Sequence, residues 1–134
     1  MIVIDTSVAV DFLRGARSSV SSVESAQRLT DSIGFSTVSL FELLHPIHHR
    51  KLSAQEKVVK SFASQLRILP LDSAAAEESA RIMGSLLRIG QQVNALDVLI
   101  AGTAVSNGAE KVLSREKDFE SVAKVSDLKI EILE

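Results

Sequence analysis

The chain has 134 residues, a formal net charge of −2, no cysteine, tryptophan or tyrosine, and five phenylalanines. One hydrophobic core fits this length, and the absent thiols exclude disulfides, thiolate zinc sites and a cysteine nucleophile. The charge excludes a uniformly basic nucleic-acid binder, and the scarcity of aromatics argues against a base-stacking platform.

Strand-like apolar runs are predicted at residues 2–4, 35–38, 68–71, 111–113 and 129–133, with helical patterns in the intervals. The first run has no basic segment before it and is cut short by Asp5, so it is not read as a signal peptide. Thr6–Leu13 follows as a short helix closed by Gly15. The polar stretch 18–22 reads as a loop entering a helix over 20–32, where Val20, Val23, Ala26 and Leu29 recur at helical spacing. Residues 40–49 and 54–66 make a helical pair, with Ser53 the expected N-cap of the second. Residues 73–89 are the cleanest helix, capped by Asp72 or Ser73 and ended by Gly90. Ala95–Ser106 is the next, stopped by Asn107-Gly108, and 117–122 is a short one. No stretch approaches the ~18 apolar residues of a membrane span, and the cytoplasm is the expected compartment. Strands alternating with helices predict one α/β domain over residues 1–134, built on a mainly parallel sheet with helices on both faces.

Three acids share one kind of place in this pattern. Asp5 ends the first strand, Glu42 follows the strand-like Gly34-Phe-Ser-Thr-Val, and Asp97 interrupts the apolar Val93-Asn-Ala-Leu-Asp-Val-Leu-Ile-Ala. Ligands of open α/β sheets gather outside the carboxyl ends of strands. Three carboxylates meeting there would suit a hard divalent cation, Mg²⁺ or Mn²⁺. Each acid also has a structural explanation. Asp5 can cap the first helix, Glu42 can close a capping box begun by Ser39, and Asp97 can complement a helix dipole. Asp97 is the most telling, because its helix reads as largely buried and a charge there needs a partner.

Four blocks carry a family likeness: Ile2-Val-Ile-Asp5-Thr-Ser-Val, Ser39-Leu-Phe-Glu42-Leu-Leu, Ala95-Leu-Asp97-Val-Leu-Ile-Ala101 and Val112-Leu-Ser114-Arg-Glu116-Lys-Asp118-Phe119. In this order they resemble PIN-domain nucleases, most closely the small toxins of VapBC type, over nearly the whole chain. The resemblance implies a PIN-like three-layer α/β/α fold with a central, mainly parallel five-stranded sheet. It implies Mg²⁺- or Mn²⁺-dependent, single-strand-directed RNA cleavage, on single-stranded or structured RNA. Frequent homodimers and a small VapB-like antitoxin belong to the same expectation. Asp5, Glu42, Asp97 and Glu116 are the expected metal ligands and catalytic acids, with Asp118 the alternative to Glu116. Thr6, Ser114 and Arg115 are candidates for orienting water or phosphate, the first two also being possible helix caps.

The chain departs from the family pattern in its last block, which commonly opens with threonine and carries an acid or asparagine two positions later. Ser114 and Glu116 stand there. A second departure is His45-Pro-Ile-His48-His49, where Glu42 and His45 form one half of a Glu-x-x-His site with no second half; these histidines read as surface residues. Arg14, Arg17, Arg50, Lys51, Arg88, Arg115 and Lys117 are the candidate local basic groups. A partner tail is expected to set an arginine over the acids and apolar residues beside Phe12, Leu13 and Leu40. Val58, Val59 and Phe62 form a stripe suited to core or dimer interface. Three other readings stand beside the toxin: an RNA-processing PIN nuclease, a catalytically degenerate PIN-fold interaction module, and a response-regulator-like module. The last lacks the expected early acid pair and late lysine.

Overall fold

The computed structural model describes residues 1–30 and 32–134. Five strands, β1 (Ile2–Ile4), β2 (Ile33–Ser36), β3 (Arg67–Leu69), β4 (Lys111–Ser114) and β5 (Lys129–Ile132), form one sheet in the order β3-β2-β1-β4-β5. Every pairing is parallel. The helices are α1 (Thr6–Leu13), α2 (Arg17–Leu29), α3 (Thr37–Arg50), α4 (Ser53–Ser64), α5 (Ser73–Arg88) and α6 (Ala95–Ser106). The 3₁₀ segment Lys117–Lys124 joins β4 to β5.

The period-two alternation of a strand divides the core into two layers. Ile2 and Ile4 of β1 point to one face with Phe35 of β2, against Val8, Val23, Leu43 and Val59 from α1–α4. Val3 points to the other, with Ile82, Leu86, Val98, Ile100 and Phe119 from α5, α6 and the 3₁₀ segment. The result is the expected α/β/α sandwich, its central strand buried on both sides. Among the described residues no helix is long and apolar enough to cross a membrane.

Several boundaries moved, each for a local reason. The second strand starts at Ile33, not at residue 35, and stops at Ser36, whose hydroxyl accepts from the Ser39 N–H at 3.0 Å and caps α3. Thr37 and Val38 are therefore helical. Ser39 is not the cap of a box with Glu42; the helix expected over 40–49 starts at Thr37, which puts Glu42 in its second turn. The serine run 18–22 is helix, not loop: α2 begins at Arg17, and Ser19 is fully buried. Packing here outweighs the modest helix propensity of serine. That helix ends at Leu29 with Thr30 extended; the expected continuation through residue 31 lies outside the described residues. Leu52, not Ser53, is the N-cap of α4, without a side-chain hydrogen bond. Asp72 caps α5 as expected, accepting from the Ala75 N–H at 2.9 Å. Two parts of the expected Val58–Val59–Phe62 stripe are core, since Val59 is buried and Phe62 packs against Phe12 and Phe35; Val58 alone is exposed.

Candidate active site

The strand order reverses beside β1: the chain runs outward through β2 and β3, then returns to β4 on β1's other side. Such a switch point opens a crevice at the carboxyl ends of the two central strands. Asp5 immediately follows β1, and the register pairs Ile4 with Leu113, so Ser114 and the residues after it emerge alongside Asp5. The N-termini of α1 and α6 bring Thr6, Ser7, Asn94 and Asp97 to this edge, and the second turn of α3 brings Glu42.

These elements enclose a cleft of about 420 Å³ lined by Asp5, Thr6, Ser7, Glu42, Asn94, Asp97, Glu116 and Asp118. Five of the eight are carboxylic acids, and none is basic. All four acids assigned from sequence stand there together, with the alternative Asp118.

Asp5 is buried and still well supplied with donors. Its Oδ1 accepts from Ser7 Oγ at 2.7 Å and from the Val8 N–H at 3.0 Å, and its Oδ2 accepts from Ser114 Oγ at 2.5 Å. Burial pushes its carboxyl above the usual range, against the pull of these three hydrogen bonds, with Glu116 adding to the rise. Asp5 therefore serves as both helix cap and cleft acid. Asp97, partly buried, is pushed up to about 6, by burial first and then by Asp5, Glu42, Glu116 and Asp118. Thr6 Oγ1 donates to Glu42 Oε1 at 2.6 Å, which fixes that glutamate from the neighbouring helix. Glu116 and Asp118 are exposed at the rim.

The hydroxyls expected to orient water or phosphate are spent on the acids, Thr6 on Glu42 and Ser114 on Asp5. Arg115 points elsewhere: its Nε pairs with Asp11 at 2.7 Å and its Nη1 donates to Ser18 at 3.3 Å. Ser7 and Asn94 were not singled out as cleft residues by the sequence. Ser7 stood in the Asp-Thr-Ser motif, but nothing local says which way a helix-start hydroxyl turns. His48 faces Glu56 at 3.5 Å and His45 stacks on Phe41, and neither lines the cleft.

By donor type the cleft fits a hard divalent cation, since clustered carboxylates without a counter-charge raise one another's pKa and an ion relieves them. As placed, no three acid or histidine side chains among the described residues converge tightly enough to enclose one.

The PIN-domain family model matches residues 2–125. The chain belongs to the PIN-domain family. Within it, the chain is 33% identical over 88 residues to a Shigella flexneri protein named tRNA(fMet)-specific endonuclease VapC, covering 65% of this chain and 67% of that one. A Salmonella typhimurium protein of the same name is 33% identical over 96 residues, covering 69% and 71%. Among solved structures, VapBC2 from Rickettsia felis bound to a promoter DNA fragment superposes with a TM-score of 0.85 at 20% identity over all of both chains. DNA-bound VapBC from Salmonella typhimurium superposes with a TM-score of 0.79 at 26% identity over 98% and 96%. This PIN domain is thus of VapC type, and the order of its four sequence blocks follows from that membership.

Proposed function

We propose that this PIN domain is a Mg²⁺- or Mn²⁺-dependent endoribonuclease directed at single-stranded segments, the toxin of a VapBC-type pair. The observation that carries the reading is the convergence of five acids on one cleft without a basic residue; burial, and then the neighbouring acids, push Asp97 up to about 6. The endonuclease names of its relatives support RNA as the substrate, and transfer RNA in particular.

Asp5, Glu42, Asp97 and Glu116 would hold the ion, with Asp118 beside them. When bound, it supplies Lewis acidity toward water and charge to set against the phosphate oxygens. The chain's own part is positioning and exclusion. Asp5 is held at both oxygens, and Glu42 is held by Thr6. Asp97 stands on α6, buried almost all round, so its backbone cannot drift while its carboxylate faces the cleft. Five acids repel a polyanion, so phosphate enters only when the cleft's charge is neutralised. Asn94 contributes an amide at the wall, although its carbonyl oxygen is committed to the Leu96 N–H at 2.8 Å.

Silencing belongs to the same reading. An apolar groove of about 380 Å³ adjoins the cleft and shares Glu42 with it; Val10, Leu13, Leu43, Pro46, Ile47 and Val58 are among its walls. Of the three residues first expected there, only Leu13 lines it, since Phe12 stacks on Phe62 and Leu40 packs against the core. An antitoxin segment with apolar residues in this groove sets an arginine over the acids, bridging two carboxylates with its planar fork.

The test is cleavage of single-stranded RNA with Mg²⁺ or Mn²⁺, with excess EDTA, and with the Asp97→Asn variant. Cleavage that persists in EDTA overturns the metal mechanism. The loose placement of the acids favours a second reading, a PIN fold kept as an interaction module. Calorimetric titration with Mn²⁺ separates the two, because the module binds none.

A further inference from the structure

Both oxygens of the Asp5 carboxylate are held by serines that are themselves held by one loop. Ser7 Oγ donates to Oδ1 at 2.7 Å and accepts from the Arg115 N–H at 2.9 Å. Ser114 Oγ donates to Oδ2 at 2.5 Å and accepts from the Glu116 N–H at 2.9 Å. A backbone N–H only donates, so each hydroxyl directs its single proton at Asp5. Two parallel relays therefore tie the acid after β1 to the segment after β4 that carries Glu116.

That segment is fastened from outside as well. The Arg115 guanidinium reaches across to Asp11 on α1 at 2.7 Å and to Ser18 on α2 at 3.3 Å. Charge-assisted pairing of this geometry resists sliding more than a neutral contact does. The Arg115 side chain thus docks the loop, while its backbone N–H, through Ser7, bears on Asp5.

We propose that Ser7 is a positioning residue for Asp5, coupling the carboxylate's orientation to the docking of segment 114–116 by Arg115. The inference rests on the reading of Asp5 as an ion ligand. Without the hydroxyl, Oδ1 keeps only the Val8 N–H, and the Arg115 N–H loses its acceptor. Hydrogen-bond partners of this kind typically affect metal affinity by about 10–100-fold.

The experiment has a metal-free arm and a metal arm, both on the full chain. In the first, NMR follows amide exchange at Arg115 and the side-chain carboxyl carbon of Asp5. Ser7→Ala is expected to speed exchange at Arg115 and shift the Asp5 signal, and Ser7→Thr to restore both. Unchanged exchange and an unmoved Asp5 signal overturn the proposal. In the second arm, calorimetry with Mn²⁺ is expected to show affinity about 10-fold weaker in Ser7→Ala, recovered by Ser7→Thr at an unchanged thermal midpoint. Arg115→Ala should weaken binding similarly, and the double variant should be no weaker than the worse single one, because coupled residues are not additive. Strictly additive losses, or wild-type affinity in Ser7→Ala, overturn the coupling. A wild-type protein that binds no Mn²⁺ ends the ion-ligand reading of Asp5, and the metal-free arm then decides alone whether Ser7 holds that carboxylate.

Discussion

Asp5 and Asp97 show how one cleft treats two aspartates differently. Asp5 is deeper but accepts three hydrogen bonds, whereas Asp97 is raised by burial and four neighbouring acids. Asp97's folded pKa of about 6 exceeds the ordinary 3.8, so the folded protein binds that proton more tightly than the unfolded chain. Its effect on stability is therefore favourable at low pH and is lost as pH rises from about 4 through about 6, on the order of 1–2 kcal/mol after screening. The Asp97→Asn variant should melt higher than wild type at pH 7 in EDTA, with the gap narrowing toward pH 4. A scan that finds the gap widening on acidification reverses the sign and the account. Glu116 and Asp118 both act on Asp97, but only Glu116 is among the causes that raise Asp5. Glu116→Gln should consequently weaken Mn²⁺ binding several-fold more than Asp118→Asn, read by calorimetry; the opposite ranking moves the fourth ligand to Asp118.

At the scale of elements, the acids depend on helices being held at fixed depth. The α6 helix is buried on nearly every side, and it crosses α5 where Gly102 faces Ser79. A Cβ on Gly102 would stand 1.9 Å from Ser79 Oγ and 2.6 Å from the Ser79 backbone nitrogen. A rotamer change at Ser79 relieves the first clash but not the second, so the helices must separate. Gly102→Ala should cost about 2–3 kcal/mol in denaturant melts and reduce cleavage as well, because α6 carries Asp97. A variant within ~0.5 kcal/mol of wild type, the usual range for surface changes, would mean that the crossing is looser than drawn. Gly90, with φ at +75°, ends α5 in the left-handed region and lets the chain turn toward Asn94, the cap of α6.

For the whole molecule, the acidic cleft and the apolar groove meet at Glu42, so one partner segment can occupy both. Val58 lies in the groove, 57% exposed, and outside the cleft. Val58→Asp should leave RNA cleavage intact while lowering inhibition by a co-expressed antitoxin at least 10-fold. Equal inhibition of the variant would move the partner to another face. Mutating to alanine the partner arginine proposed to face the acids should weaken inhibition more than removing any other of the partner's charges. Exposed Phe41, Leu87 and Ile89 leave apolar surface for self-association, and closed two-fold pairs are the commonest oligomers. Light scattering should read a dimer mass at micromolar concentrations.

The sequence alone determined the alternation of strand and helix, the helices Thr6–Leu13 and Ala95–Ser106 to the residue, and the acids after the first strand and inside the buried helix. Those features are local, set by hydrophobic periodicity, caps and a charge amid apolar neighbours. Local signals misled where packing overrode them: the serine run became helix, and the helix that carries Glu42 began at Thr37 and not at Leu40. Only the tertiary structure decided how the hydroxyls are spent. Whether Thr6, Ser7 and Ser114 face solvent, backbone or carboxylate depends on residues 36, 108 and 109 positions away. It also turned Arg115 onto Asp11 and split the stripe of α4 between core and surface. Spacing along a chain specifies which residues share a helix face or a strand end, whereas the partner of a polar atom is set by the elements that the parallel sheet brings beside it.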